Sequence, residues 1–166
     1  MSVIAAKVYQ DKIVIAADSI LVRGWSKKLN RKNDFQKIAQ INGMIIGGVG
    51  TAEANSLMFL FAETHKPARA DERGIAEYFA EFAKWAKGYA DVNTIENDYL
   101  IAYSSKLFSV EGFFVAEVGN YEAIGAGEDF ANTALYLGLT PEKAVSVACE
   151  MCCMVSGPVV QYEMKI

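Results

Sequence analysis

The chain has 166 residues, of which 52% are hydrophobic and 22% are charged. This length and composition fit one folded domain with a large buried core and exclude a disordered chain. Sixteen basic residues stand against twenty acidic ones, a net charge of −4, which disfavours nucleic acid as a partner of the whole molecule. No apolar run is long enough for a membrane helix and no secretory signal opens the chain, so we expect a cytoplasmic protein.

Short apolar runs separated by turns make up most of the chain and predict its secondary structure. Four strands are followed by two helices, four more strands, two further helices and a last strand. Asn42-Gly43 predicts a tight hairpin turn, and Thr51 and Thr140-Pro141 predict helix starts. Residues 19–34 are polar and aperiodic, which predicts a loop. The predicted strands cover residues 3–6, 13–17, 35–41, 44–48, 99–103, 107–110, 113–117, 121–124 and 158–164, and the predicted helices cover a segment after Thr51 and residues 72–87, 128–137 and 141–154.

This order of elements predicts the fold class. Two antiparallel sheets packed face to face, with a pair of helices on each outer side, would bury the apolar faces of all the elements. We therefore expect an α+β protein that forms a four-layer αββα sandwich. We also expect residues 1–166 to form a single domain, with the last strand at a sheet edge.

Basic residues are concentrated in one short stretch of the first half. Six basic residues and one acidic residue there give a charge of +5, which leaves ten basic and nineteen acidic residues, −9, in the rest of the chain. A basic loop on an acidic body can contact an acidic partner or can simply be a solvated loop. The charged residues of this stretch are Arg23, Lys27, Lys28, Arg31, Lys32, Asp34 and Lys37.

Three cysteines lie close together near the C-terminus. Cys149 and Cys152 form a C-x-x-C pair, and Cys153 follows directly. A zinc site would need further ligands, and His65 is the only histidine. Because the pair falls in an apolar helical pattern, we expect reduced, buried thiols and neither a metal nor a redox site.

Familiar catalytic motifs are missing, so the N-terminus becomes the first candidate for chemistry. The sequence holds no P-loop, G-x-S-x-G or H-E-x-x-H, and a single histidine gives no credible Ser-His-Asp triad. If Met1 is removed, the Ser2 hydroxyl lies beside a free α-amine with a pKa of about 7.7–8.0. Such an amine can accept the hydroxyl proton and make Ser2 a nucleophile. Alternatively, a Met-Ser start is ordinary and has no catalytic meaning.

Two charged residues at predicted strands support the Ser2 hypothesis. Asp18 follows the buried run 13–17, where a carboxylate needs a partner. Lys37 lies in the predicted strand 35–41, where an ammonium is also expected to be paired. If these strands are neighbours, Ser2, Asp18 and Lys37 converge, and the ion pair lowers the pKa of the Ser2 hydroxyl. The alternative is that the aspartate and the lysine are both solvated at strand ends.

Four segments in a fixed order give the chain a family resemblance: Ser2-Val-Ile, Ile13–Asp18, Gln36-Lys37-Ile38 and Ile45–Ala54. In these segments the sequence resembles the proteasome β-subunit family of N-terminal-nucleophile hydrolases, and HslV in particular. The match allows a three-residue insertion in the basic loop. It continues more weakly at Ile124–Gly127 and in the last two helices, whereas residues 66–97 match poorly.

The resemblance implies an αββα sandwich that assembles into rings and hydrolyses peptide bonds inside a closed chamber. Carried over by position, Ser2 takes the place of the family's N-terminal threonine nucleophile. Asp18 and Lys37 match its aspartate and lysine partners, and the backbone N–H of Gly48 matches the oxyanion donor. The resemblance also implies a partner ATPase of the AAA+ type that unfolds polypeptide substrates. It implies no cofactor and no metal.

The sequence departs from the family pattern at three positions. The nucleophile is serine, which lacks the threonine methyl that restricts the side-chain rotamer. Ala126 stands where the family has a serine, and Met151 stands where it has a helical aspartate, with Glu150 beside it. Activation is expected to need removal of Met1, because a retained Met1 would block the α-amine.

These departures leave three functions open. The first is a peptidase subunit that acts in a homo-oligomeric ring. The second is a catalytically inactive ring or scaffold protein, which Ala126, Met151 and a retained Met1 would favour. The third is an N-terminal-nucleophile amidase for a small molecule, although no arginine is found at the matching positions near Ser2.

Overall fold

The structure is a computed structural model that describes residues 1–24, 26–29, 36–91 and 96–166. Eleven strands and four helices are found in these residues. The strands are β1 (Val3–Val8), β2 (Lys12–Ala17), β3 (Ile20–Arg23), β4 (Ser26–Leu29), β5 (Ile38–Ile41), β6 (Met44–Val49), β7 (Asp98–Tyr103), β8 (Lys106–Glu111), β9 (Phe114–Glu117), β10 (Tyr121–Gly125) and β11 (Val160–Lys165). The helices are α1 (Ala52–Ala62), α2 (Glu72–Ala86), α3 (Glu128–Tyr136) and α4 (Pro141–Met151).

Nine of the strands form two antiparallel sheets. One sheet has the order β10-β1-β2-β11 and the other has the order β5-β6-β7-β8-β9. The inner faces of the two sheets pack on each other through aliphatic side chains such as Ile4, Ile15, Ile45 and Leu100. Because both faces of β1, β2 and β6 are covered, these strands are runs of buried apolar residues without alternation.

Each outer sheet face is covered by a helix pair. Helices α1 and α2 contribute an aromatic cluster with Phe61, Phe79 and Phe82 to the outer face of the five-stranded sheet. Helices α3 and α4 cover the four-stranded sheet through small residues such as Ala131 and Ala148. The arrangement confirms the predicted four-layer αββα sandwich. No helix of the described residues is long and apolar enough to cross a membrane.

Most predicted elements are found within a few residues of their expected bounds. The helix starts at Thr51 and Thr140 are confirmed, since each side chain accepts a hydrogen bond from the first turn of its helix. The hairpin turn at Asn42-Gly43 is also confirmed, with φ of 51° and 78°. Strand β11 pairs with β2 alone and is an edge strand, as expected.

The predicted loop over residues 19–34 is wrong in its described part. Strands β3 and β4 form a hairpin there, with Ile20 opposite Leu29. The alternation was hidden because the two strands are short and the second one, Ser-Lys-Lys-Leu, is basic. Lys27 and Lys28 are exposed on β4. Arg31, Lys32 and Asp34 of the basic stretch, and the start of the strand predicted at Phe35, lie outside the described residues.

The predicted strand 35–41, which contains Lys37, was expected beside the first two strands of the chain, and this is wrong. Strand β5 begins at Ile38 and is the edge of the five-stranded sheet, whereas β1 and β2 belong to the four-stranded sheet. Lys37 therefore approaches Asp18 across the gap between the two sheets. Gly47 allows the two sheets to pack closely at this point, because a Cβ there would lie 2.6 Å from the Ile38 side chain and 3.0 Å from that of Ile4.

Candidate active site

Ser2 and Asp18 meet at one end of the four-stranded sheet. Ser2 precedes β1 and Asp18 follows β2, and the antiparallel register that pairs Ile4 with Ala17 brings both to the same edge. Two hydrogen bonds join Asp18 to Val3, the residue that follows Ser2. The N–H of Val3 donates to Asp18 Oδ1 at 2.9 Å, and the N–H of Asp18 donates to the carbonyl oxygen of Val3 at 3.2 Å.

Lys37 and Asp18 form a buried ion pair beside Ser2. Lys37 Nζ lies 2.8 Å from each carboxylate oxygen of Asp18, and the two side chains are 8% and 0% exposed. Burial lowers the pKa of Lys37 because it penalises the ammonium, and the charge and hydrogen bonds of Asp18 oppose this shift without cancelling it. The pairing expected for Asp18 and Lys37 is therefore found, and solvation of either group is excluded.

The third hydrogen bond of the Lys37 ammonium points to the N-terminus. Nζ donates to the carbonyl oxygen of Met1 at 3.3 Å, so the lysine contacts the peptide group that joins Met1 to Ser2. Ser2 is 6% exposed. No hydrogen bond to its hydroxyl is found among the described residues. With Met1 attached, the lysine is thus bonded to the blocking peptide and not to the hydroxyl.

Gly48 lies in β6, across from Lys37. Its N–H donates to the carbonyl oxygen of Lys37 at 3.0 Å, which extends the β5–β6 ladder by one pair. The amide expected to bind an oxyanion therefore already has an acceptor. The Gly48 carbonyl accepts a hydrogen bond from Asn55 Nδ2 at 2.6 Å. A Cβ on Gly48 would overlap the Asn55 amide oxygen and lie 2.7 Å from the Tyr99 ring, so this position requires glycine.

Ser2 and Lys37 open onto a cleft of about 590 Å³. One wall comes from β3 and the other from the segment that joins β6 to α1. Gly50 in this segment is exposed, and within the described residues its N–H has no hydrogen-bond acceptor. The cleft is lined by Met1, Ser2, Ile20, Leu21, Val22, Gln36, Lys37, Gly50, Thr51, Ala52, Asn55, Ser56 and Phe59.

Three polar residues of the site were not predicted. The N–H of Ser156 donates to Asp18 Oδ2 at 3.4 Å and gives the carboxylate another partner. Asn55 and Asn97 are buried and hydrogen-bonded to each other at 3.1 Å. No local pattern identifies Ser156, because it contacts Asp18 over 138 positions of sequence. Asn55 could have been noticed as a polar residue on an otherwise apolar helix face.

The turn between β10 and α3 packs against the N-terminus. Gly125 has φ of 97°, and a Cβ on it would lie 2.5 Å from the Ser2 carbonyl oxygen, so glycine is required for this approach. Ala126 offers no side-chain hydrogen bond in this turn. Met151 is exposed at the end of α4 and is not among the residues that line the cleft.

The cysteines differ from the prediction. Helix α4 ends at Met151 because the backbone is extended at Cys152, so Cys152 and Cys153 lie beyond it. Cys149 and Cys152 are half-buried, Cys153 is exposed, and all three are free thiols. Burial raises the pKa of Cys149 to about 11, and the nearby Asp18 charge adds to the shift. Among the described residues, no group of three or more His, Cys, Asp or Glu side chains could hold a metal ion.

No protein-family model matches the sequence, and a search of curated proteins finds no significant match. Solved structures do match over almost the whole chain. BPH from Thiobacillus denitrificans in complex with epoxomicin has a TM-score of 0.86 at 20% identity and covers 98% of each chain. A second structure of BPH from the same organism has a TM-score of 0.84 at 21% identity and covers 98% of this chain and 97% of that one.

Eukaryotic HslV from Trypanosoma brucei matches with a TM-score of 0.67 at 18% identity and covers 99% of each chain. The chain has the HslV-like fold. At these identities the likeness shows the fold, and it confirms the αββα sandwich that the sequence resemblance implied.

Proposed function

We propose that the chain is an HslV-like peptidase subunit in which Ser2, freed by removal of Met1, is the N-terminal nucleophile. The observation that supports this most strongly is the buried Asp18–Lys37 pair, whose ammonium lies 3.3 Å from the carbonyl oxygen directly before Ser2. A buried charge pair gives little stability compared with apolar packing. Its position at the chain terminus is explained by chemistry at Ser2.

Removal of Met1 would rearrange the site in a defined way. The Met1 carbonyl would leave, and one N–H of Lys37 would become free to bind the Ser2 hydroxyl. The positive ammonium then lowers the pKa of that hydroxyl, while Asp18 keeps the lysine in place and charged. The new α-amine of Ser2 supplies a base with a pKa of about 7.7–8.0, suited to neutral pH.

The reaction then follows in two steps. The Ser2 oxygen attacks the substrate carbonyl, and the α-amine accepts the hydroxyl proton and passes it to the leaving amine as the C–N bond breaks. Water next attacks the acyl ester carbonyl as the α-amine accepts its proton; the C–O bond to Ser2 then breaks, the amine returns the proton to the Ser2 oxygen, and the acid product leaves. We assign the oxyanion to the Gly48 N–H, which must exchange the Lys37 carbonyl for the substrate oxygen.

We propose unfolded polypeptide as the substrate, with a homo-oligomeric ring as the working form and an AAA+ ATPase as the unfolding partner. Self-association is supported by large apolar side chains that this chain leaves exposed, since exposed apolar surface marks interaction sites. On and just after α3 these residues are Phe130, Tyr136 and Leu137, and at the end of α4 and beyond it they are Met151 and Met154. Native mass spectrometry tests the ring: a monomer at micromolar concentration would contradict it.

A catalytically inactive ring protein of the same fold is the second candidate. Three observations favour it: the Ser2 hydroxyl has no partner among the described residues, the Gly48 N–H is bonded to Lys37, and Ala126 offers no side-chain hydrogen bond. Both candidates share the fold and self-association. They differ in whether Met1 is removed and whether Ser2 reacts.

Intact mass measured with and without an epoxyketone distinguishes the two candidates. The peptidase predicts loss of one methionine residue and a single covalent adduct. Ser2→Ala should form no adduct, whereas Ser146→Ala, which removes an exposed serine on α4, should react like the parent. A protein that retains Met1 and stays unmodified would contradict the peptidase and favour the inactive ring protein.

A further inference from the structure

Two buried asparagines hold the backbone that forms one wall of the cleft. Asn97, which precedes β7, is 1% exposed, and Asn55, on the first turn of α1, is 7% exposed. A buried amide without hydrogen bonds is costly, so polar residues at such depth need a partner. Here the partners are backbone groups of residues 48–51 and the other asparagine.

Asn97 makes a two-point contact with Thr51. Its Oδ1 accepts the Thr51 N–H at 2.8 Å, and its Nδ2 donates to the Thr51 carbonyl at 3.0 Å. The same Nδ2 also donates to Asn55 Oδ1 at 3.1 Å. Because Thr51 also caps α1, this contact fixes the helix start relative to β7.

Asn55 extends the contact to the other end of the segment. Its Nδ2 donates to the Gly48 carbonyl at 2.6 Å, so the two amides bond the backbone on both sides of Val49-Gly50. Glycine at positions 48 and 50 makes room for them, because a Cβ at either position would overlap an asparagine amide oxygen. The sequence Gly-Val-Gly-Thr and the two asparagines therefore fit each other.

We propose that Asn55 and Asn97 are positioning residues that hold the backbone of residues 48–51 in the orientation needed to bind the reacting carbonyl. The Gly50 N–H lies between the bonded points of this segment and has no acceptor within the described residues, whereas the Gly48 N–H at its start is bonded to the Lys37 carbonyl. A peptide group can stabilise a developing charge only if its orientation is fixed before the reaction. This inference rests on the proposed function, because it concerns the reaction at Ser2.

Asn55→Asp is the sharpest test. The side chain keeps its shape and its acceptor for Asn97 Nδ2 but loses the donor to the Gly48 carbonyl. We expect the maximal rate of epoxyketone adduct formation to fall about ten-fold to hundred-fold, with the inhibitor concentration at half-maximal rate changed less than about three-fold. Asn97→Asp keeps the acceptor for the Thr51 N–H and should lower the maximal rate in the same way. This second variant replaces the first in the test if Asn55→Asp does not fold.

Asn132→Asp is the matched control, since Asn132 on α3 makes two hydrogen bonds of 3.4 Å remote from the cleft. Rates are compared in protein shown by circular dichroism to be folded at the assay temperature. Parental rates in both Asn55→Asp and Asn97→Asp would overturn the inference and leave the peptidase standing. A parent protein that forms no adduct would overturn the proposed function, and the positioning role with it.

Discussion

Strand β2 has a lysine at its first residue and an aspartate just beyond its last, and each is ion-paired in a different way. At one end Lys12 lies 2.9 Å from Glu163 of the edge strand β11, and both side chains are in solvent. At the other end Asp18 lies 2.8 Å from Lys37, and both are buried between the sheets. The distances are almost equal, so the difference between the two pairs comes from burial.

The two lysines show this difference in their pKa values. The pKa of Lys12 is raised, because the hydrogen bond and charge of Glu163 stabilise an ammonium that remains hydrated. The pKa of Lys37 is lowered, because the loss of hydration has a larger effect than the charge and hydrogen bonds of Asp18. A surface ion pair of this type contributes little to the stability of the fold. A buried pair beside a chain terminus has a cost that the fold alone does not explain, which is why we assign it to the chemistry of Ser2.

Replacing each lysine in turn should give the largest difference between the two ion pairs in stability and in reactivity. Lys37→Met leaves Asp18 buried without its counter-ion, so we expect the free energy of unfolding to fall by about 3–5 kcal/mol. We also expect no epoxyketone adduct on the folded fraction. Lys12→Met should change neither the melting temperature nor the adduct rate measurably. Urea denaturation and intact mass of the same samples provide both readouts.

The double variant Asp18→Asn/Lys37→Met is the control for this experiment. It removes the uncompensated charge and keeps an acceptor for the Val3 N–H, so part of the lost stability should return while the adduct stays absent. If adduct formation returned together with stability, Lys37 would be a structural residue and its assigned role would be wrong.

The glycines near each end of the β-sandwich provide a second comparison. Gly48→Ala would push a methyl group into the Asn55 amide and the Tyr99 ring. We expect a loss of about 1–3 kcal/mol in stability, as for other overpacked sites, and a slower adduct reaction. Gly119→Ala, where nothing lies within 4 Å of the new methyl group, should behave like the parent. Equal melting temperatures for the two variants would show that the Asn55 and Tyr99 side chains move aside at little cost.

The sequence predicted the layers of this fold better than the geometry of its site. Buried runs such as Ile13–Ala17 and the caps at Thr51 and Thr140 are local signals, and they were sufficient for the αββα order. The approach of Lys37 to Asp18 was predicted, but the route was wrong, since β5 lies in the opposite sheet. A pattern of period two identifies a strand and its faces, but it does not say which sheet the strand joins.

The contacts that no pattern indicated join residues far apart in the chain. Asn97 bonds Thr51 across 46 positions, and Ser156 bonds Asp18 across 138. Single polar residues of this kind have no periodicity, and their partners are backbone groups that every residue possesses. The bond between the Gly48 N–H and the Lys37 carbonyl was also beyond prediction, because it depends on how far the β5–β6 ladder extends.

The smallest effect that we expect is a difference between Lys12 and Lys37 in the pH at which each loses its proton. The folded chain releases the Lys37 proton below the ordinary pKa of 10.5, so this residue makes the free energy of unfolding rise with pH until about 10.5. The contribution of Lys12 is present below 10.5 and is lost only as pH rises through its raised pKa. NMR of ¹³Cε-labelled lysine, with Lys12→Arg and Lys37→Arg used for assignment, should show Lys37 deprotonating first. If Lys12 deprotonates first, attraction to Asp18 exceeds the cost of burial, and the buried pair stabilises the fold in the same way as the surface pair.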